Sequence, residues 1–105
     1  MLSAENMDRA KLDEVERHLN VTWQEEDTDS KVIGIMLDAE ADLNHRLGAK
    51  MDYFAPGAAH RLFLDYCLYA WNNCIEELDE AYRAEILRIR HINEVKAYKE
   101  AMDGS

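Results

Sequence analysis

The two cysteines, Cys67 and Cys74, both fall in the segment DYCLYAWNNCIEEL, residues 65–78, beside a tryptophan and two tyrosines. Thiols this close raise three chemistries: a disulfide, a zinc site and a redox pair. On one continuous helix a seven-residue step separates the Cα atoms by ~10.5 Å along the axis. A disulfide tolerates no more than ~7 Å, so only a chain turn at Asn73 would bring the pair closer. Structural zinc takes four ligands, commonly from CxxC-like pairs. No such pair is present, and the nearest histidine in sequence, His60, stands seven residues before Cys67. The thiols therefore read as small buried hydrophobes, and no metal or cofactor is expected.

The remaining titratable groups give no stronger pattern. His18, His45, His60 and His91 are scattered, and none has a ligand-type partner at i+4. His60 reads as a surface or interface residue. Asp38, Glu40 and Asp42 form one group of carboxylates; Glu76, Glu77, Asp79 and Glu80 form another. Paired carboxylates can move protons. Here the first group reads as a solvated face, and the second suits the positive end of a following helix. GxSxG, a glycine-rich phosphate loop and HExxH are all missing, so no catalysis is expected.

One basic region stands out. Arg83, Arg88, Arg90, Lys96 and Lys99 face only Glu85 and Glu94 between residues 83 and 99. Two readings stay open. Bases late in a helix complement its negative end. The same bases could form an interface to an acidic partner surface.

The elements that would carry these residues are helical. One proline and four glycines in 105 residues leave few breakers. Helix 1 is expected over 3–19, with Ser3 as cap and Leu12, Val15 and Leu19 as a narrow stripe. Helix 2 is expected over 29–47, capped by Asp27, Thr28 or Asp29, with Val32, Met36, Ala39, Leu43 and Leu47 inward, flanked by Ile33 and Leu37, and Gly48 closing it. Pro56 can open helix 3 over 56–72, which is apolar on most sides and so central. The asparagines at 72 and 73 break the chain. Helix 4 then runs over 75–101 on the stripe Tyr82, Ile86, Ile89, Ile92, Val95 and Tyr98. The expected fold is all-α: about four helices in a single domain, 1–105. Shorter N-terminal helices pack on a central antiparallel hairpin. Tyr66, Cys67, Tyr69, Trp71, Tyr82 and Ile86 form its packing centre. Residues 97–105 form a flexible or partner-ordered tail.

The chain carries a net charge of −10, with 13 acids against 6 bases through Asp52. That composition opposes a protein that grips nucleic-acid phosphates, though an acidic wall would let DNA slide past. The acidic amphipathic start MLSAENMDRAKLDEVERH does not read as a signal peptide. No apolar run approaches the ~20 residues of a membrane span. A cytosolic protein with reduced thiols is expected.

The order of segments is informative. LDEVERHLNV leads through an acidic stretch to IMLDAEADLNHRLG, then to RLFLDYCLYAWNN and EELDEAYRAEILRI. Within these, Tyr66, Tyr69, Asn72, Asn73, Glu77, Tyr82, Glu85, Ile86 and Leu87 carry the closest likeness. From about Leu12 to Arg90 the chain resembles the small head–tail connector (adaptor) proteins of tailed bacteriophages and prophages. Trp71 and the two cysteines depart from that pattern. The resemblance implies a structural virion protein at the head–tail junction, made in the host cytoplasm. Its subunits would form a ring of about a dozen beneath the portal protein, extend the DNA channel without sequence-specific binding, and present a surface to a stopper or tail-completion protein. The basic end of helix 4, with Arg83, Arg88, Arg90, Lys96 and Lys99, is expected to meet the portal. The alternative is a cytosolic helical adaptor or regulator that binds a partner helix. A small metal or redox protein is a further rival, opposed by the missing ligand pairs.

Overall fold

A computed structural model describes residues 2, 7–22 and 25–103. Four α-helices follow in order: α1 (Arg9–His18), α2 (Glu26–Leu47), α3 (Ala58–Trp71) and α4 (Leu78–Asp103), with a short 3-10 turn (Ile75–Glu77) leading into α4. No strand occurs among the described residues. The protein is all-α.

Local chemistry sets the helix ends. Asp8, in extended conformation, caps α1 by accepting the Ala10 N–H at 2.8 Å. Ser3, the expected cap, lies outside the described residues. After α1 the chain reverses at Asn20, with φ 62°, one of two non-glycine residues in the left-handed region among the described residues. α2 begins three residues before its expected start. Glu25 occupies the cap position without a side-chain bond, and Glu26, Asp27 and Asp29 fall within the first turn. Their charge at the positive helix end replaces a cap. Gly48 closes α2 at φ 74°, its N–H bonded to the Asn44 carbonyl at 3.0 Å, as the sequence predicts.

α3 starts at Ala58 rather than Pro56. Gly57 intervenes with φ 142° and ψ −168°, a conformation that excludes the helix and favours glycine. Pro56 therefore belongs to the turn before the helix. The break at the asparagines occurs as expected: Asn73 has φ 57°, and the Cys74 N–H bonds the Tyr69 carbonyl at 2.9 Å. α4 is helical to Asp103, so residues 97–103 of the expected tail are the last turns of a helix.

α2 and α3 each touch the other three α-helices, and their contact with one another is the broadest. α2 is the longest helix after α4. Its stripe Val32, Met36, Ala39, Leu43 and Leu47 is fully buried. Leu12 and Val15 of α1, and Leu62, Phe63, Tyr66 and Cys67 of α3, close on that stripe. Tyr53, from the loop before α3, joins them. Its ring stacks on Phe63 at 5.3 Å and its hydroxyl donates to Asn44 Oδ1 at 2.7 Å.

Candidate assembly surface

The residues first considered for chemistry hold the helices together. Cys67 is fully buried, and burial pushes its thiol up to about 12. It is a protonated core group at neutral pH. Cys74 is partly buried at the turn, and desolvation with Glu77 and Glu76 nearby raises its thiol as well. Tyr66 is buried beside Cys67, whereas Tyr69, Trp71, Tyr82 and Ile86 pack partly exposed at the margin of the core. The ring of Trp71 lies under Lys31 Nζ at 4.8 Å. Of the expected packing centre, Tyr66 and Cys67 thus belong to the core, which they share with the α2 stripe, Phe63 and Tyr53, and the other four residues lie at its margin.

Two histidines tie helices together. His60 is not a surface residue. Its Nδ1 lies 2.7 Å from the Tyr53 carbonyl and its Nε2 lies 2.7 Å from Glu14 on α1. The ring thereby bridges the loop before α3 to α1. His18 of α1 meets Asp65 of α3 at 2.9 Å, and the other Asp65 oxygen accepts the Tyr82 hydroxyl from α4. One carboxylate thereby joins three helices. Among the described residues no group of three His, Cys, Asp or Glu is placed to hold a metal ion.

The carboxylates of α2 do not form a solvated face. Asp38 is exposed, but Glu40 is nearly buried and accepts the Leu2 N–H through both oxygens. Asp42 accepts Tyr66 Oη at 2.7 Å and Arg46 Nε at 3.0 Å. Burial disfavours its charge, but those two hydrogen bonds outweigh burial and hold Asp42 below the usual carboxylate range. Arg46 also pairs with Asp79 at the start of α4.

A second acidic group was not evident from sequence. Glu16 on α1 is 4% exposed and faces Asp29 on α2. Arg9 is the cation at this site, 2.9 Å from Asp13, 2.8 Å from Asp29 and 3.4 Å from Glu16. Three carboxylates around one guanidinium are two charges too many. Burial first, and then the hydrogen bond with Asp29, raise Glu16 to about 7, while the same contact and Arg9 lower Asp29. Below that pH the pair holds one proton, carried by Glu16 and accepted by Asp29.

The large exposed apolar side chains among the described residues are on α4. Its first half is held by buried Leu78 and Ile89, and Tyr82 and Ile86 pack partly buried beside them. Further along, Asn93 Nδ2 donates to the Leu47 carbonyl at 2.8 Å. Beyond Asn93 every residue to Asp103 is exposed, so about ten residues, or ~15 Å of helix, project from the body. The expected apolar stripe divides here. Tyr82, Ile86 and Ile89 face the body, and that side continues to Asn93 and Lys96. Ile92, Val95 and Tyr98 turn away from it, and Tyr98 is 67% exposed. A run of apolar residues read as one buried face is in fact two faces.

The basic residues do not share one face either. Arg88 and Arg90 are two positions apart, which sets them roughly 160° apart around a helix. Arg88 is occupied by Glu85 at 2.9 Å and Arg90 by Glu94 at 3.0 Å. Arg83, Lys96 and Lys99 are exposed with no ion pair among the described residues. Arg83, Arg88 and Arg90 lie on the seated part of α4 and Lys96 and Lys99 on the projecting part, on several sides of the helix; the five do not form a patch.

No protein-family model, no curated protein and no solved structure matches the chain. Among the described residues no helix is long and apolar enough to cross a membrane.

Proposed function

We propose that this chain is a structural assembly subunit of the head–tail connector kind. It works by contact, without catalysis or a cofactor. In this reading the four-helix body is a rigid wedge in a ring of about a dozen copies, with the DNA channel through its middle. The ring sits between the portal protein and a stopper or tail-completion protein, at the head–tail junction of the virion. The observation that carries the reading is the distal half of α4. A helix that leaves its own core with Val95 and Tyr98 on the surface is a docking element in search of a surface. The acidic body supports it, since a wall of that sign does not retain DNA.

The same projecting helix would serve a cytosolic helical adaptor that binds a partner groove, and a portal distinguishes the two readings. Native mass spectrometry over a concentration series, with and without the candidate portal protein, tests this. Closed rings of about a dozen subunits on the portal are expected, and Val95→Asp with Tyr98→Asp should abolish them at unchanged helicity. Indifference to the portal at all concentrations would remove the connector reading and leave the adaptor.

A further inference from the structure

The outward side of α4 has a regularity that its inward side does not explain. Ala81, Ala84, Arg88, His91, Val95 and Tyr98 recur at alternating steps of three and four residues. That is the a/d spacing of a heptad. Every one of these residues is exposed. They lie on the side of α4 opposite Tyr82, Ile86 and Ile89, which face the body. Leu87 and Ile92 flank the strip and are exposed too, at 58% and 52%, which widens it to the apolar face of a bundled helix.

We propose that this strip pairs with the same strip of a second copy, as a parallel two-stranded coiled coil that makes the chain a dimer. Three observations select that occupant. The first is charge. Residues 83–103 hold five bases and four acids, so all of the net −10 resides in the rest of the chain. Two bodies repel, and the near-neutral α4 is where two copies can approach. Since the strip points away from the body, pairing along it leaves the two acidic bodies on the outside, far apart.

The second observation is the flanking charges. With Val95 at a and Tyr98 at d, Glu94 takes position g and Lys99 takes position e. In a parallel pair g meets the e of the following heptad on the other chain, so Glu94 of each copy faces Lys99 of its mate. That attraction on the distal turns favours the parallel arrangement, and Leu87 at g meets Ile92 at e one heptad earlier; next to the body Glu80 at g meets Glu85 at e, a like-charged pair that loosens the seam there and leaves the distal turns as its anchor. The third is the choice of core residues. β-Branched Val95 at a favours two strands. Ala81 and Ala84 allow close approach near the body. Arg88, also at a, is already neutralised by Glu85 on its own helix at 2.9 Å. A polar residue at a lowers the strength of pairing but fixes its register.

The pairing goes beyond the connector reading and does not need it, because it uses this chain alone. It also gives the distal helix a resting state: the face offered to a partner protein is covered by a second copy until that partner competes for it.

Sedimentation equilibrium of the full chain over a concentration series is the test, with circular dichroism as a check on folding. The wild type should be a monomer–dimer system. Val95→Glu, at a site already exposed in the monomer, should weaken the dimer by ~10-fold or more while leaving helicity unchanged. Glu94→Lys alone and Lys99→Glu alone should each weaken it, and the double swap E94K/K99E should restore it. A wild type that is monomeric throughout would overturn the proposal. So would an oligomer that Val95→Glu leaves intact, since its contacts then lie on the body. Either result leaves the portal experiment above free to succeed or fail by itself.

Discussion

Replacing Glu16 by Gln should stabilise this protein, and the gain should grow with pH. Glu16 is buried between α1 and α2 with its Oε2 unbonded, as is Asp29 Oδ1 opposite it. One carboxyl proton satisfies the contact, which is why Glu16 titrates near 7 in the fold against an ordinary 4.5. A group raised on folding contributes stability in full below its unfolded value. It loses that contribution as pH climbs through its folded value. The folded state binds more protons than the unfolded state between about 4.5 and 7, so in this window the Glu16 contribution falls with rising pH. At ~1.4 kcal/mol per pH unit, complete ionisation costs roughly 3 kcal/mol by pH 8. A glutamine amide donates to Asp29 as the proton does, and it cannot ionise. Urea denaturation followed by helical circular dichroism at pH 4.5, 6 and 8 measures the difference. The Gln variant should match the wild type at pH 4.5 and exceed it by up to roughly 3 kcal/mol at pH 8. Such a gain raises the melting midpoint by ~10 °C or more in a domain of this size. A constant difference across pH, or a less stable variant at pH 8, would refute the shared proton.

Three further outcomes are expected. Leu43→Ala empties a fully buried position on α2 and should cost about 2–5 kcal/mol in the same assay, whereas Val95→Ala on the projecting helix should change monomer stability by less than ~0.5 kcal/mol. Tyr66→Phe removes the 2.7 Å hydrogen bond to Asp42 and should cost about 1–2 kcal/mol at neutral pH. Asp42 is held low in the fold, so its stabilisation is present above the ordinary carboxylate range and lost on acidification; the Phe variant should move its carboxyl upward in an NMR titration. Asn73→Val forces a β-branched residue to φ 57° and should destabilise by about 1–2 kcal/mol, while Asn73→Gly should be close to neutral by thermal melting.

The parts of this fold legible in sequence are those set by local physics. The period of α2 reads directly because Val32, Met36, Ala39, Leu43 and Leu47 all face one side, and all are buried. Gly48 and Asn73 mark left-handed turns because few other residues occupy them at low cost. What did not read are features created by tertiary contact. Tyr53 is a lone aromatic in an irregular loop; no periodicity points it inward, yet it is 2% exposed. Glu16 had a signal that a polarity pattern hides. It occupies the i+4 position of the stripe Leu12, Val15, Leu19, where an apolar residue is the norm. On α4, apolar residues lie on two sides, and only the ending of the body at Asn93 decides which of them are covered. The bases failed as a patch for a simpler reason: nearness in sequence on a helix is not nearness in space.

α4 joins its seated half to its exposed half without a proline, a glycine or a change of helix type. A continuous helix has no joint, so it acts as a lever with its fulcrum near Asn93. A tilt of 10° at the fulcrum moves a tip ~15 Å away by about 2.6 Å. The seated arm of the lever bears Tyr82 against Asp65 and Asp79 against Arg46, and through Asp65 it reaches His18 on α1. Whatever grips the far end therefore pulls on contacts with α1, α2 and α3 together. Force applied at one tip is felt throughout the bundle.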